Sequence, residues 1–297
     1  MLSDNGSSFK MHINDYKKGH PELKHLLEIV GDLLTAGETL LKEERRRPAI
    51  SSLPNREEIR AHFSHQRFAL KEKDLPIEQD QFRGILSKLT TILEDTGIIP
   101  EPGTFSPTAD FEKDAARLHL LDFGETDLAE KKAASKAKEP LRILHLILLY
   151  FSVRPFYKSL AEYIRQEVGF ETWTAGCCPV CGQLPFLARL EEEDGAKFLA
   201  CGLCDTSWRF PRLACPFCKS QNEPQIRYFY VPGEEGQRVY VCERCRTYLK
   251  TIEPAKLQRK PLLLFEHLVT PHLDLLAQKA GYFPPRNLIS ALVLARL

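Results

Sequence analysis

The chain has 297 residues, 43% of them hydrophobic, enough to bury sizeable cores; at roughly 100 to 200 residues per domain this suggests about two domains. Its 41 Lys plus Arg against 40 Asp plus Glu exclude the gross cationic excess expected of a protein that works on nucleic acid or on an anionic membrane surface. The opening MLSDNGSSFKMHINDYKKGH has no apolar stretch behind its lysines, so neither a secretory nor a twin-arginine signal is expected, and the chain is expected in the cytoplasm.

Leu23, Leu26, Leu27, Val30, Leu33, Leu34, Leu40 and Leu41 recur at three-and-four spacing, which predicts an amphipathic helix over 23–41. A second stripe, Phe82, Ile85, Leu86, Leu89, Ile92 and Leu93, is closed by the turn-rich IIPEPGTFSP. Ser106 and Pro107 read as N-cap and first-turn proline of a helix through Leu121, and Thr126 reads as the cap of another. The longest helical pattern covers 141–168, where Pro155 is expected to kink the helix or divide it. Its most apolar run, LRILHLILLYFSV, is shorter than the roughly 20 residues that span a bilayer and holds Arg142 and His145, so it predicts a buried helix and no membrane insertion. These stripes predict a helical bundle whose core is independent of the cysteine-bearing half of the chain. No phosphate-loop, dinucleotide or nucleophile-elbow motif occurs in the first 170 residues.

From Thr172 onward cysteine pairs alternate with PFLARL, KFLAC, SWRF, IRYFYV and RVYV, short runs of β type. EEEDG at 191–195 and PGEEG at 232–236 each separate two such runs and read as hairpin turns. Helical spacing returns in PLLLFEHLV and again after Thr270, where Pro271 starts a helix that Gly281 ends. The expected fold is α+β: a helical domain at 1–170, two small rubredoxin-like or zinc-ribbon modules at 171–213 and 214–260, and a helical segment at 261–297. Trp208, Phe210, Tyr228, Phe229, Tyr230 and Tyr240 are expected to pack around the ribbons as a small core.

The chemistry lies in the cysteines. All nine fall between Cys177 and Cys245, and in a reducing cytosol this favours metal ligation over disulfides. Eight form four pairs with two intervening residues: Cys178/Cys181, Cys201/Cys204, Cys215/Cys218 and Cys242/Cys245. That gap lets a tight turn aim two thiolates at one ion while nearby N–H groups donate to sulfur, and two such turns complete a tetrahedron. The intervals from Cys181 to Cys201 and from Cys218 to Cys242 can each hold a hairpin, whereas Cys204 and Cys215 lie close together. Sequential pairing of first with second and third with fourth is therefore expected, a crossed arrangement being the alternative. Cys178-Pro179-Val180-Cys181 and Cys215-Pro216-Phe217-Cys218 carry a proline that the other two pairs lack, so each sequential site combines one of each kind. Zinc and iron both accept four thiolates, so spacing does not choose the metal. Cys177 is left over, as a spare thiol or an exchanging ligand. The nine histidines form no metal-spaced pair.

Together GCCPVCGQLP, FLACGLCDTSWRFPRLACPFCKS and VCERCRTYLKTIE resemble the FdhE family of formate dehydrogenase accessory proteins, and GYFPPRNL fits that family's C-terminus more loosely. The resemblance implies a cytoplasmic, chaperone-like protein for assembly and maturation of respiratory formate dehydrogenase. It implies two rubredoxin-like iron sites built from the eight paired cysteines, with zinc possible, and contact with the enzyme's catalytic subunit before export. It implies no turnover of its own. Two rival functions differ in kind. A nucleic-acid-binding ribbon is disfavoured because residues 177–256 carry 11 Lys plus Arg against 10 Asp plus Glu before about −2 is added by each four-thiolate site. A rubredoxin-like electron carrier would cycle its iron reversibly; no thioredoxin-like βαβ context supports a thiol oxidoreductase.

Overall fold

The computed structural model of the chain describes residues 6–43, 54–70, 79–99, 139–219, 225–257, 259–287 and 289–290. The helix expected from Ser106 to Leu121 and the cap at Thr126 lie outside these residues.

Among the described residues five α-helices precede the cysteine region: α1 (Gly6–Gly19), α2 (Lys24–Glu43), α3 (Arg56–Ser64), α4 (Gln79–Asp95) and α5 (Glu139–Glu167). Most of the two stripes turns inward as the spacing predicts, with Leu23, Leu26 and Ile92 half-buried, while the side chains of Leu40 and Leu41 lie outside the described residues. Leu27, Val30, Leu33 and Leu34 of α2 and Phe82, Ile85, Leu86, Leu89 and Leu93 of α4 are buried, and both helices pack against α5. Gly97 then ends α4 in the left-handed region at φ 72°. Helix α3 starts at a capping box: the Asn55 side chain accepts from the backbone N–H of Glu57 and Glu58, and the Glu58 carboxylate accepts from Asn55 N–H.

Helix α5 is a single helix that Pro155 does not divide. Proline has no N–H for the Phe151 carbonyl one turn earlier, and Gly37 of α2 lies over this spot. A Cβ at Gly37 would fall 2.6 Å from Pro155 Cγ and 3.6 Å from the Phe151 oxygen. Glycine thus lets α2 approach the proline turn closely. Residues 147–157 of α5 are buried on every side, as befits a central helix. Among the described residues no helix is long and apolar enough to cross a membrane.

The cysteine region forms one six-stranded sheet: β1 (Leu187–Leu190), β2 (Lys197–Ala200), β3 (Ser207–Phe210), β4 (Ile226–Phe229), β5 (Gln237–Cys242) and β6 (Tyr248–Ile252), in the spatial order β3-β2-β1-β6-β5-β4. Both expected hairpin tips are present, with Gly195 at φ 64° and Gly233 at φ 90°. Each ribbon is an antiparallel three-stranded unit. The two are fused by parallel pairing of β1 with β6, Ala188 opposite Thr251 and Arg189 opposite Ile252.

Two short helices, α6 (Leu263–Leu268) and α7 (Pro271–Lys279), follow the sheet. Leu273 and Ala277 of α7 pack with Val239, Val241 and Tyr248 beneath the second ribbon. There the buried Lys250 ammonium donates to Asp274 at 2.6 Å and to the His267 carbonyl at 2.7 Å. On α6 the buried Glu266 carboxylate accepts both Arg259 Nε and Nη2 at 3.0 Å, Gln237 Nε2 at 2.7 Å and the Tyr16 hydroxyl at 2.6 Å. A charge buried this deeply needs such full pairing, and the pairing ties α1 to β5.

The helical core is not independent of the ribbons. One contiguous apolar cluster runs from Leu27, Leu89 and Leu148 through Trp173 into Val180, Leu187, Leu199 and Trp208 of the first ribbon. Backbone bonds reinforce it, Ala69 N–H donating to the Pro179 carbonyl at 2.8 Å and Leu70 N–H to Val180 at 3.0 Å.

Candidate metal centres

Each cysteine pair sits in the same local turn. The residue after its second cysteine has a left-handed backbone: Gly182 at φ 75°, and Asp205, Lys219 and Arg246 each at 58°. In three of the turns that residue's N–H bonds back to the first cysteine's carbonyl, as Gly182 to Cys178, Lys219 to Cys215 and Arg246 to Cys242. The first cysteine's own N–H is taken by a carbonyl beyond the turn, Cys178 by Gln183, Cys201 by Thr206 and Cys242 by Thr247. The chain is thereby folded back so that both sulfurs of a pair point the same way.

The structure brings Cys178, Cys181, Cys201 and Cys204 into one cluster and Cys215, Cys218, Cys242 and Cys245 into another, with all sulfurs of a cluster within 4.8 Å of one another. This is the sequential arrangement, not the crossed one. Sulfur separations are 3.5 Å for Cys178–Cys204 and Cys181–Cys201 and 3.7 Å for Cys181–Cys204. In the second cluster Cys215–Cys245 is 3.6 Å and Cys218–Cys242 is 3.7 Å. A tetrahedron with metal–sulfur bonds of ~2.3 Å has edges of ~3.8 Å, so both cages fit a four-coordinate thiophilic ion. Cys177 stays outside both, half-buried, its thiol pushed up chiefly by burial. Among the described residues no histidine joins either cluster.

Within each cage the thiols act on one another's charge. Burial pushes the Cys178 and Cys181 thiols well up. Burial alone would raise Cys204 too, but hydrogen bonds from Cys178, Cys181, Cys201 and Thr206 hold it well below the usual thiol range. In the second cluster the hydrogen bond from Cys215 brings Cys245 down to about 4 against the effect of burial, with Thr247 helping. A divalent cation would supply the charge that lets the remaining thiols ionise.

Residues outside the cysteine pairs complete the sites. Thr206 Oγ1 lies 3.1 Å from the Cys204 sulfur, and Thr247 Oγ1 donates to the Cys245 carbonyl at 3.3 Å. Both threonines stand two places after the second cysteine of an even-numbered pair, a repeat readable in the sequence. Arg154 of α5 pairs with Asp205 and donates to the Tyr150 hydroxyl, which donates to the Gly202 carbonyl at 2.6 Å. The helical bundle thus grips the second turn directly. The sites also abut: a Cβ at Gly176 would fall 1.8 Å from the Pro216 oxygen. Buried Lys197 spans them, its ammonium donating to the Arg212 and Ala214 carbonyls at 3.0 and 2.9 Å, with its pKa pushed down to about 8 by burial.

Gly182 tests how much the turn geometry matters. Gly182→Ala should cost about 2–5 kcal/mol, combining ~1–2 for a left-handed alanine with ~1–3 for a Cβ placed 2.7 Å from the Phe68 ring. Gly233→Ala, with open space around it, should cost only the backbone part. Thermal melts of the two metal-loaded variants check this, and equal shifts would rule out the ring contact.

The FdhE central-domain family model matches residues 177–212, the first two cysteine pairs. A "Protein FdhE homolog" of Aquifex aeolicus (strain VF5) is 30% identical over 135 residues, which are 44% of this chain and 46% of that protein. A "Protein FdhE" of Escherichia coli O127:H6 is 29% identical over 128 residues, 42% of this chain and 38% of that protein. The chain thus matches less than half the length of these curated relatives. The crystal structure of the FdhE protein from Pseudomonas aeruginosa superposes with a TM-score of 0.62 at 19% identity, over 97% of each chain, which shows a shared fold. The chain is thus similar to FdhE proteins: the family's central domain lies across its first cage, and the relatives it matches carry the same name.

Proposed function

We propose that this chain is an accessory protein for assembly and maturation of respiratory formate dehydrogenase, that it acts in the cytoplasm, and that it binds the enzyme's catalytic subunit. The observation that carries this reading is the closure of both cages. All four positions of each candidate site are cysteine sulfurs, so the ion has no open position for substrate, as a catalytic metal requires. Ions held by Cys178, Cys181, Cys201 and Cys204 and by Cys215, Cys218, Cys242 and Cys245 would be iron by the family resemblance, or zinc by the same ligand chemistry. Their part is to hold a binding surface rather than to turn over. A chain of this kind works by recognition, and its purified form oxidises no formate.

The test is made in cells and in a binding assay. Deletion of the chain should abolish formate dehydrogenase activity where the enzyme is expressed and no paralogue substitutes. Complementation with Cys215→Ser should restore it poorly, and this variant should capture less catalytic subunit from anaerobic extracts. Normal activity in the deletion strain would reject the assignment.

A further inference from the structure

We propose that the outer edge of β4, unpaired among the described strands, takes up an extended segment of the catalytic subunit as a seventh strand, with the tyrosine platform beside it. This rests on the functional reading above and names the surface that does the binding.

β4 ends the sheet opposite β3 and pairs only with β5 among the described strands. Glu243 N–H donates to the Gln225 carbonyl at 2.8 Å, which fixes the alternation of the antiparallel ladder. Gln225, Arg227 and Phe229 therefore turn their backbone groups to β5, and Ile226 and Tyr228 turn theirs outward. An outward row of N–H and C=O groups is a template for another strand.

The face beside this edge is built for contact. Tyr228 and Tyr230 are 49% and 48% exposed, although aromatic residues here would be expected in the ribbon core. Tyr228 packs against Tyr240 in a tilted pair with ring centroids 5.4 Å apart, and the Arg238 guanidinium lies 5.0 Å from the Tyr228 centroid, held by Glu253 at 2.6 Å. The tyrosines are thus fixed in place before any partner arrives. Phe229, on the opposite face, packs against Tyr282 instead.

Charge selects the occupant. A second copy of this chain pairing edge to edge with its two-fold axis at Arg227 would set Arg227 against Arg227, and like charges directly opposite destabilise a sheet pair. Arg227 is largely exposed, and the Glu243 carboxylate 3.5 Å from it is already engaged by Arg246 and Tyr282. The incoming strand is therefore one that places an acidic residue opposite Arg227 and apolar or aromatic side chains over the tyrosines. The second cage lies beside the edge: Ile226 stands opposite Cys242, so an ion held there would also help fix the register of β4.

The experiment uses the full metal-loaded chain and the purified catalytic subunit. Hydrogen exchange should slow at the Ile226 and Tyr228 amides when the subunit is added. Tyr228→Pro removes an outward donor without touching the ladder to β5, and should weaken binding about tenfold or more at unchanged metal content. Arg227→Glu, at an exposed position, should weaken it as well. If the wild-type chain binds but both variants bind equally well, the proposal falls and the functional reading stands. If the wild-type chain does not bind the subunit, both fall. A dimer of the free chain that Tyr228→Pro dissociates, or an oligothymidine that displaces the subunit, would assign the edge to another occupant and overturn the proposal.

Discussion

Cys181→Ser should destabilise the helices and the first ribbon in one transition, whereas Cys218→Ser should spare the helices. Cys178, Cys181, Cys201 and Cys204 belong to the apolar cluster that also holds Leu27, Leu89 and Leu148 of the bundle. Cys215 and Cys242, although buried, belong to neither apolar cluster. Structural zinc contributes an apparent ~10–16 kcal/mol to the folds it closes, as much as the ~5–15 kcal/mol by which a typical domain is stable. Losing the first ion leaves polar or charged sulfur inside the shared core. It also loosens the strand-like contact of Ala69 and Leu70 with Pro179 and Val180 and the grip of Arg154 on Asp205. Losing the second ion exposes little of that core. Helical circular dichroism against temperature separates the two cases. A Cys181→Ser variant that keeps its full helical signal and melting temperature would show that the bundle stands without the first cage.

The part of this structure that is legible in the sequence is the part fixed by short-range chemistry. Cys-x-x-Cys spacing specifies its own turn, the Glu191–Gly195 and Pro232–Gly236 tips are hairpin chemistry, and Pro271 and Gly281 bracket α7 where they should. Two local signals were there to be read as well: the Asn55 to Glu58 capping box that starts α3, and the threonines after the even-numbered pairs. What is not legible depends on partners far away in the chain. β6 is missing from the β-type runs expected from the sequence, where Lys250 and Thr251 interrupt its apolar pattern, yet all five of its residues are buried. Lys250 can be buried there because Asp274 and the His267 carbonyl receive its ammonium, and no local window contains both. The parallel pairing of β1 with β6 likewise has no local signature, so two ribbons that read as separate units form one sheet. Pro155 misleads in the same way: its helix runs on through the proline, and Gly37 on another helix packs against that turn. The six ribbon aromatics divide by face: Trp208 and Phe210 join the core, while Tyr228 and Tyr230 on the outer edge of the second ribbon do not.

The two cages should release their ions at very different rates. All four sulfurs of the first are on buried residues, whereas Cys218 and Cys245 of the second are half-exposed. A chelator can begin to replace thiolates at an exposed corner without waiting for the protein to open. At the first cage it must wait for a local opening that also breaks the shared core, and openings of core elements approach the free energy of global unfolding. A coloured chelator added to the two-metal protein should therefore take one equivalent quickly and the second at least about tenfold more slowly, a gap of ~1.4 kcal/mol or more in the barrier. Cys215→Ser should lack the fast equivalent and keep the slow one. Because Ile226 of β4 stands opposite Cys242, the fast loss should also speed amide exchange along β4 while leaving β1 and β2 protected. Release of both ions in a single phase, or a fast phase that survives in Cys215→Ser, would show that the exposed corners at Cys218 and Cys245 do not control access to the metal.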